Sequence, residues 1–198
     1  MSLIKLKNNA LDNLTSFEGA ASLGDMVLVS SATASSSASI EFDLGSYKEY
    51  KFFLVNIHPA TNNVNFQFNF SADSGSNYNV TKTSTYFNAY HNESDSQTSL
   101  NYDGTNDLAQ STSFQMFTNS FGSDNDQQGS GMLQIFNPSS TTFVKHFIAR
   151  LNNYHASDYS VDAYVAGYAN TTSALTNIKF QMSSGNIDDG KILMFGLN

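Results

Sequence analysis

The segment from Gly185 to Lys191, GNIDDGK, matches the first seven positions of the phosphate-binding loop G-x-x-x-x-G-K-[ST]. In that loop, backbone N–H groups and the lysine hold phosphates, and a hydroxyl at the eighth position binds Mg²⁺. Here the eighth residue is Ile192, the apolar run that follows is typical of a strand, and Asp188 and Asp189 would repel an anion. We therefore predict a hairpin turn at this position.

A second segment, Asp124 to Gly129, resembles the first half of a calcium loop, with oxygen ligands at its first and third positions and glycine at its sixth. The fifth position is Gln128, however, and the twelfth is Ile135 within an apolar run, where a bidentate carboxylate should close the site. We predict a solvated turn, and an ion held by several loops together stays open as an alternative.

Catalytic patterns are missing from the chain. The histidines at 58, 91, 146 and 155 lack the spacing of zinc ligands on one element, and there is neither a cysteine nor a G-x-S-x-G nucleophile elbow. Two carboxylates for glycoside hydrolysis could come from distant strands, but none of the glutamates stands out as an acid in an apolar pocket. We predict a protein that is not an enzyme and uses no metal or cofactor.

Strands must position any site in this chain, because apolar residues recur at every second position or in short runs and turn residues separate them. No segment keeps helical spacing for three turns. Strands are predicted at 40–44, 50–57, 64–70, 80–87, 113–117, 132–136, 142–151, 160–168, 178–182 and 191–197, with 26–30 as a further candidate. This pattern predicts an all-β fold, an antiparallel β-sandwich of the jelly-roll type.

Two stretches of the predicted sandwich have distinct roles. In NVNFQFNF, the apolar residues should line the core, while the alternating amides face water or another subunit; the two sets are Val64, Phe66, Phe68, Phe70 and Asn63, Asn65, Gln67, Asn69. The stretch from His91 to Ser111 is the longest without strand character. We predict a long exposed loop there, and long loops on a β-scaffold are common binding sites.

Composition narrows the partners. The chain has 198 residues, a formal charge of −8, a pI near 4.7 and only nine Lys and Arg residues, which disfavours binding to nucleic acid and to anionic membranes. No apolar run approaches the roughly 20 residues of a spanning helix. The first 17 residues lack the apolar core of a signal peptide, so we predict no export by that route.

A domain boundary is predicted near residue 30, where the tract SSATASSSAS occupies residues 30–39. In one interpretation, residues 1–30 form a short irregular N-terminal arm and linker, and residues 31–198 form the sandwich. In the other, the tract is a small-residue strand or loop of the domain itself. The sequence leaves both interpretations open.

Three long segments, residues 58–83, 136–147 and 165–196, resemble virion proteins of tailed bacteriophages of marine bacteria, and the resemblance covers most of residues 40–198. The N-terminal LIKLKNNALDNLT resembles the leader of phage tail and fibre proteins. The resemblance implies a non-enzymatic virion structural protein of tail-fibre or spike type, assembled in the host bacterial cytoplasm as a homotrimer that contacts other virion proteins. It also implies virion anchoring through the apolar residues of the arm: Leu3, Ile4, Leu6, Leu11, Leu14 and Phe17.

A host surface glycan is the expected ligand of such a protein, and the predicted loop offers suitable groups. Aromatic rings stack on the apolar faces of sugars, while amides and carboxylates bind hydroxyls. The candidate glycan-binding residues are Tyr90, His91, Asn92, Tyr102, Asp103 and Asn106. Two alternatives stay open: a capsid decoration protein with large interfaces, and a small glycan-degrading tailspike domain with two facing carboxylates.

Overall fold

The computed structural model describes residues 26–198, so the six predicted anchoring residues between Leu3 and Phe17 lie outside the described residues. None of the described residues forms a helix long and apolar enough to cross a membrane. The strands are β1 (Val27–Thr33), β2 (Ile40–Asp43), β3 (Glu49–Pro59), β4 (Val64–Ser71), β5 (Lys82–Asn92), β6 (Thr98–Tyr102), β7 (Gln115–Phe121), β8 (Gly129–Phe136), β9 (Lys145–His155), β10 (Tyr159–Ala169), β11 (Asn177–Met182) and β12 (Ile187–Leu197).

The twelve strands form one antiparallel sheet with two branches, which confirms the predicted all-β antiparallel fold. The eight-strand branch runs β1-β12-β3-β8-β9-β10-β5-β6, and the four-strand branch runs β7-β4-β11-β2. A single residue pair, Phe121 with His155, joins β7 of the second branch to β9 of the first. The branches are therefore almost independent in their backbone hydrogen bonding.

Aromatic side chains from both branches form a common core. The alternation of β4 buries Val64, Phe66, Phe68 and Phe70, as predicted. Phe68 lies 5.4 Å from Phe147 of β9 between ring centroids, and Phe52 of β3 lies 5.4 Å from Phe180 of β11. Burying each such side chain contributes about 1.5–3 kcal/mol, so this cluster holds the two branches together where hydrogen bonds do not.

A jelly-roll topology is a more specific claim than the common core of the two branches, and it stays a prediction. The chain does cross from one branch to the other at eight connections: β1–β2, β2–β3, β3–β4, β4–β5, β6–β7, β7–β8, β10–β11 and β11–β12. Repeated crossing between two packed sets of strands is what Greek-key and jelly-roll chains do. The hairpin β9–β10 extends the eight-strand branch between β8 and β5.

The amide face predicted for β4 differs at Asn69, which is fully buried instead of facing water or a subunit. Its side-chain amide donates hydrogen bonds to the carbonyl oxygens of Tyr78 (2.6 Å) and Thr112 (2.9 Å) and accepts one from the ammonium of Lys82. The residue is buried because neighbouring loops supply every partner it needs.

Residues 91–111 were predicted to be a loop, and this prediction is wrong for Thr98–Tyr102, which forms β6 and pairs with β5 from Phe87 to His91. Strand β6 is an edge strand whose residues are almost all exposed. A strand that buries neither face needs no apolar alternation, so its sequence carries no strand signal.

Strand β1 crosses the domain boundary predicted at residue 30. It pairs with β12 from Val27 to Thr33, Ala34 beyond it is buried, and Ser37 forms a bridge with Ile187. The first part of the small-residue tract therefore belongs to the sheet and its connections. A separate role for the residues before Met26 stays a prediction.

The predicted hairpin at residues 185–191 is wrong, because the strands on either side of this turn belong to different branches. Strand β11 ends at Met182 and pairs with β2 and β4, whereas β12 begins at Ile187 and pairs with β1 and β3. The segment thus spans a crossover turn and the first residues of β12, and it does not open a helix. This geometry offers none of the helix-terminal N–H groups that a phosphate-binding loop uses.

Two lysines, Lys82 and Lys145, are buried on the side of the eight-strand branch that faces the core, which we call its inner face. Both pair with Ala169 at one end of β10, the strand between β9 and β5. Lys82 Nζ donates to the carbonyl oxygen of Val80 (2.8 Å) and to Asn69, and Lys145 Nζ donates to the carbonyl oxygens of residues 171 (2.9 Å) and 173 (2.6 Å). Burial lowers the pKa of both ammonium groups, that of Lys82 to about 7.

Candidate functional site

A cleft of about 540 Å³ opens at the other end of the inner face, between β5, β6 and β10; we call it the β5–β6–β10 cleft. Its volume lies within the range of small-ligand sites. Four of its lining residues carry rings: Tyr90, Tyr102, His155 and Tyr159. Side-chain amides line it as well: Asn88, Asn101 and Asn119.

Alternation along β5 and β10 places these side chains together. Tyr86, Asn88 and Tyr90 point to the inner face of β5, and Val161 and Tyr159 continue the inner face of β10. Tyr86 and Val161 are buried in the core, whereas the tyrosines further along are only partly buried. The cleft therefore continues the core along β5 and β10 to the part of these strands where the inward side chains are no longer fully buried.

The rings of the cleft form an edge-to-face cluster. Tyr90 and Tyr159 have centroids 5.5 Å apart with 86° between their planes, and His155 lies 5.3 Å from Tyr159 at 77°. The hydroxyl of Tyr159 also donates to Oε1 of Gln97 in the β5–β6 turn (2.7 Å). Because edge-to-face contacts do not cover both faces of every ring, this cluster keeps ring surface for a ligand.

Asn88 is a polar group that a ligand in the cleft can reach. It is only 8% exposed as a residue, but it lines the cleft, and its side-chain amide lies beside the hydroxyl of Tyr86. Buried amides are normally paired, and an amide can both donate to and accept from a hydroxyl. The hydroxyl of its neighbour Tyr86 is buried beside the side chains of Asn88 and Thr118 without a well-aligned hydrogen bond among the described residues, and burial raises the pKa of that phenol.

Two further groups set the polarity of the cleft. Asp103 accepts hydrogen bonds from the backbone N–H of Thr105 (2.9 Å) and from the amide of Asn106 (2.6 Å), which fix its carboxylate in a turn. Burial lowers the pKa of His155, whose Nδ1 accepts the backbone N–H of Ser157 (3.0 Å). The imidazole is therefore neutral at pH 7 and carries its proton on Nε2. No lysine or arginine of the described part of the chain lines the cleft.

The structure brings together three of the six predicted glycan-binding residues. Tyr90, Tyr102 and Asp103 all line the cleft. His91 instead bonds to Asp95 (Nε2 to Oδ1, 2.9 Å), while Asn92 accepts the backbone N–H groups of residues 96 (3.0 Å) and 97 (2.9 Å). Asn106 reaches the cleft only through Asp103. These last three residues shape turns, and His91 and Asn92 also line a neighbouring cavity.

Sequence reasoning missed Asn88, Asn119, His155 and Tyr159. The signal for Asn88 was present, because it stands on the inner face of β5 between two tyrosines at positions 86 and 90. Tyr159 stands two residues before Val161 on the same face of β10. Asn119 and His155 come from β7 and β9, and only the fold brings these strands to the cleft.

A neighbouring cavity of about 390 Å³ contains two carboxylates, Glu93 and Asp126. The hydroxyl of Tyr154 donates to Glu93 (2.7 Å), and this bond raises the pKa of the phenol to about 12. Within residues 26–198, no three His, Asp or Glu side chains are grouped as metal ligands. The calcium-like segment from Asp124 forms the turn before β8, in which the backbone N–H of Asp124 donates to Gln127 (3.1 Å).

Known proteins offer no guide to this cleft. Comparison of the chain with family models, with curated proteins and with solved structures yields no match. The functional argument therefore depends on the residues of the cleft and on the chemistry that they can perform.

Proposed function

We propose that the protein is a non-enzymatic virion structural protein of tail-fibre or spike type, which binds a host surface glycan in the β5–β6–β10 cleft. One observation carries the binding assignment: the open ring cluster of Tyr90, Tyr159 and His155 lies in the same cleft as the side-chain amide of Asn88. The virion setting, assembly in the host cytoplasm and contact with other virion proteins rest on the sequence resemblance alone.

A sugar fits this cleft because its two kinds of surface find matching groups. The apolar C–H face of the ring stacks on Tyr90 or Tyr159. Hydroxyls at its rim exchange hydrogen bonds with the amide of Asn88, with Nε2 of His155 and with the carboxylate of Asp103. Such a site combines a few oriented polar groups with ring surface, as ligand sites generally do.

Hydrolysis of the bound glycan is disfavoured by the carboxylates. A glycosidase needs two, about 5 to 9.5 Å apart, that flank the scissile bond. Among residues 26–198, Asp103 is the only carboxylate that lines the cleft, and both its oxygens accept hydrogen bonds from its own turn. The alternative of a glycan-degrading tailspike domain would have to use Glu93 and Asp126 of the neighbouring cavity, and it predicts that shortened glycans are released on incubation.

A binding experiment tests the proposal directly. A glycan array should first identify a ligand, and isothermal titration should then measure its affinity for wild type and for Tyr90→Ala, Tyr159→Ala and Asn88→Ala. We expect each substitution to weaken binding about tenfold or more, equal to about 1.4 kcal/mol, since each removes a stacking surface or a hydrogen bond.

Two variants serve as controls. Phe143→Ala removes an aromatic ring that is 69% exposed but lies outside the cleft, and it should leave affinity unchanged. Asn153→Ala removes a buried amide bonded to Thr118 (2.6 Å), and it should lower stability, whereas Asn88→Ala should not. Unchanged affinity in all three cleft variants would contradict the assignment of the cleft.

The competing proposal is a capsid decoration protein, whose function is to hold other virion proteins through large interfaces. The exposed apolar residues outside the cleft favour it, among them Met132, Ile148 and Phe143. Imaging of labelled protein on particles separates the two: a position over the head supports decoration, and a position at the tail supports a fibre or spike.

A further inference from the structure

The outward side of the eight-strand branch carries a transverse row of large side chains. Backbone pairing aligns one outward residue from each of five neighbouring strands, β3, β8, β9, β10 and β5. These residues, which we call the outer row, are Phe53, Met132, Arg150, Tyr164 and Phe87.

The rings of the outer row stand upright beside one another. Phe87 and Tyr164 are stacked with centroids 4.8 Å apart and 2° between their planes, and the guanidinium carbon of Arg150 lies 4.9 Å from the centre of Tyr164. A separation equal to the spacing of adjacent strands means that these groups cover each other's faces and turn their edges to solvent. The Tyr164 ring, which lies between Phe87 and Arg150, therefore offers no open face for a sugar.

The composition of the row is that of a protein interface. Aromatic residues, Met and Arg are enriched at interface cores, whereas Lys, Glu and Asp are depleted. Met132 is 40% exposed and Phe87 39%, and exposed Val55 and Ile148 extend the apolar surface beside the row. Monomeric proteins rarely leave a contiguous apolar surface of this kind open to water.

The charge of the outer row bears on whether a second copy of the chain can bind there. The chain carries a formal charge of −8, so two copies repel each other over most of their surface. In the outer row the only charge is Arg150, and Asp162 neutralises it through two hydrogen bonds, Nε to Oδ1 (3.0 Å) and Nη2 to Oδ2 (2.7 Å). A two-fold contact centred on Arg150 brings the two arginines opposite each other, but each is already neutralised by the Asp162 of its own copy, so the row brings no net charge to the contact.

The order of the row is self-complementary about Arg150. A two-fold axis parallel to the strands and passing over Arg150 reverses the row of the second copy. Met132 of each copy then faces the Tyr164 position of the other, and Phe53 faces Phe87. Methionine sulfur packs well at ring edges, and ring edges are what the stacked pair exposes. We propose that the outer row binds a second copy of this chain in such a two-fold, isologous contact.

Analytical ultracentrifugation of the full chain over a series of concentrations tests this proposal. We expect wild type to form a species of twice the 21.6 kDa chain mass. Met132→Lys and Phe87→Lys should each weaken the dimer about tenfold or more, because each places an unpaired charge in the contact. Thermal unfolding checks that both variants are folded, and both positions are exposed enough for lysine to reach water.

The cleft variant Tyr90→Ala is the matched control, since it removes an aromatic ring on the opposite face of β5 and should leave the dimer intact. A wild type that stays monomeric at every concentration would overturn the proposal. So would a species of three copies, which the sequence resemblance implies, or a dimer that persists unweakened in both lysine variants. None of these outcomes depends on whether the cleft binds glycan.

Discussion

Polar residues inside this protein fall into two groups that do different work. Lys82, Lys145, Asn69 and Asn153 are completely buried, and each has hydrogen-bond partners within the chain. Asn88 is nearly as buried, but its amide lines the cleft and lies beside the hydroxyl of Tyr86. A residue of the first group stabilises the fold, whereas we propose that the amide of Asn88 binds the ligand.

Burial of Lys82 makes stability depend on pH. The pKa of its ammonium is about 7 in the folded protein and 10.5 in an exposed lysine, so between these values the unfolded chain holds a proton that the folded chain has lost. Stability contributed by this residue therefore rises with pH through that window, by about 1.4 kcal/mol per pH unit, and is lowest below pH 7.

Urea unfolding at pH 7, 8 and 9 measures this prediction, with Lys82→Met as the comparison. The variant lacks the titrating group and should show a smaller rise in the free energy of unfolding across the series, while Lys145 remains in both proteins. Equal slopes for the two proteins would show that Lys82 stays charged when folded.

At the scale of single residues, the sequence showed which residue types suit sugar binding, but it did not show which of these residues line the cleft. Tyr90, Tyr102 and Asp103 were predicted because aromatic and acidic residues near turns suit sugar binding, and all three line the cleft. His91, Asn92 and Asn106 have the same chemistry but are used in turns. Local sequence does not show which neighbour takes a polar atom, since that depends on the final positions of the strands.

Strands were predictable wherever one face is buried. The alternation of β3, β4 and β9 is visible in the sequence because inward positions must be apolar. Edge strand β6 and the start of β12 were missed: the first is exposed on both faces, and the second contains the polar residues Asp188 and Asp189. The sequence also did not predict which distant strands pair. Nothing in the sequences of β11 and β12 indicates to which branch each strand belongs.

The irregular pairing of β12 with β3 requires a glycine. The register shifts on both sides of Asp189, and Gly190 has a φ of +124°. A Cβ atom there would lie 2.8 Å from the carbonyl oxygen of Asn56 on β3. Both the conformation and the space at this position therefore exclude a side chain.

Replacing Gly190 should destabilise the protein strongly. We expect Gly190→Ala to lower the free energy of unfolding by about 1–3 kcal/mol or more, as measured by urea unfolding. Gly104→Ala is the control: a Cβ there meets no atom closer than 4.0 Å, and the change should stay within about 0.5 kcal/mol. Similar losses in both variants would argue against a special backbone at Gly190.

In the whole molecule, β1 and β6 are opposite edges of the eight-strand branch. The backbone register also places Val27 level with Gly167 at one end of the strands, whereas the cleft residues Tyr90 and Tyr159 lie at the other end. A protein held through its N-terminal residues would therefore present the cleft away from its point of attachment. This arrangement suits the proposed anchoring arm.

Two truncations test the arm. Deleting residues 1–24 leaves β1 complete, so the body should stay folded and soluble but no longer incorporate into particles. Deleting residues 1–34 also removes β1 and the buried Ala34, and it should lower stability by at least about 1 kcal/mol, or about 2–4 °C in Tm. Thermal unfolding and co-sedimentation with particles measure both effects. An insoluble product of the shorter deletion would show that the arm belongs to the core.

The pairing of β1 with β12 has a mechanical consequence. Its hydrogen bonds run perpendicular to the strands, and its register extends from Val27 opposite Gly196 to Thr33 opposite Lys191. A pulling force applied to the chain just before Val27 and directed away from the sheet edge breaks these bonds in succession, beginning at Val27. Strand β1 consequently detaches at low force, and the remaining strands and the cleft keep their structure while the chain extends.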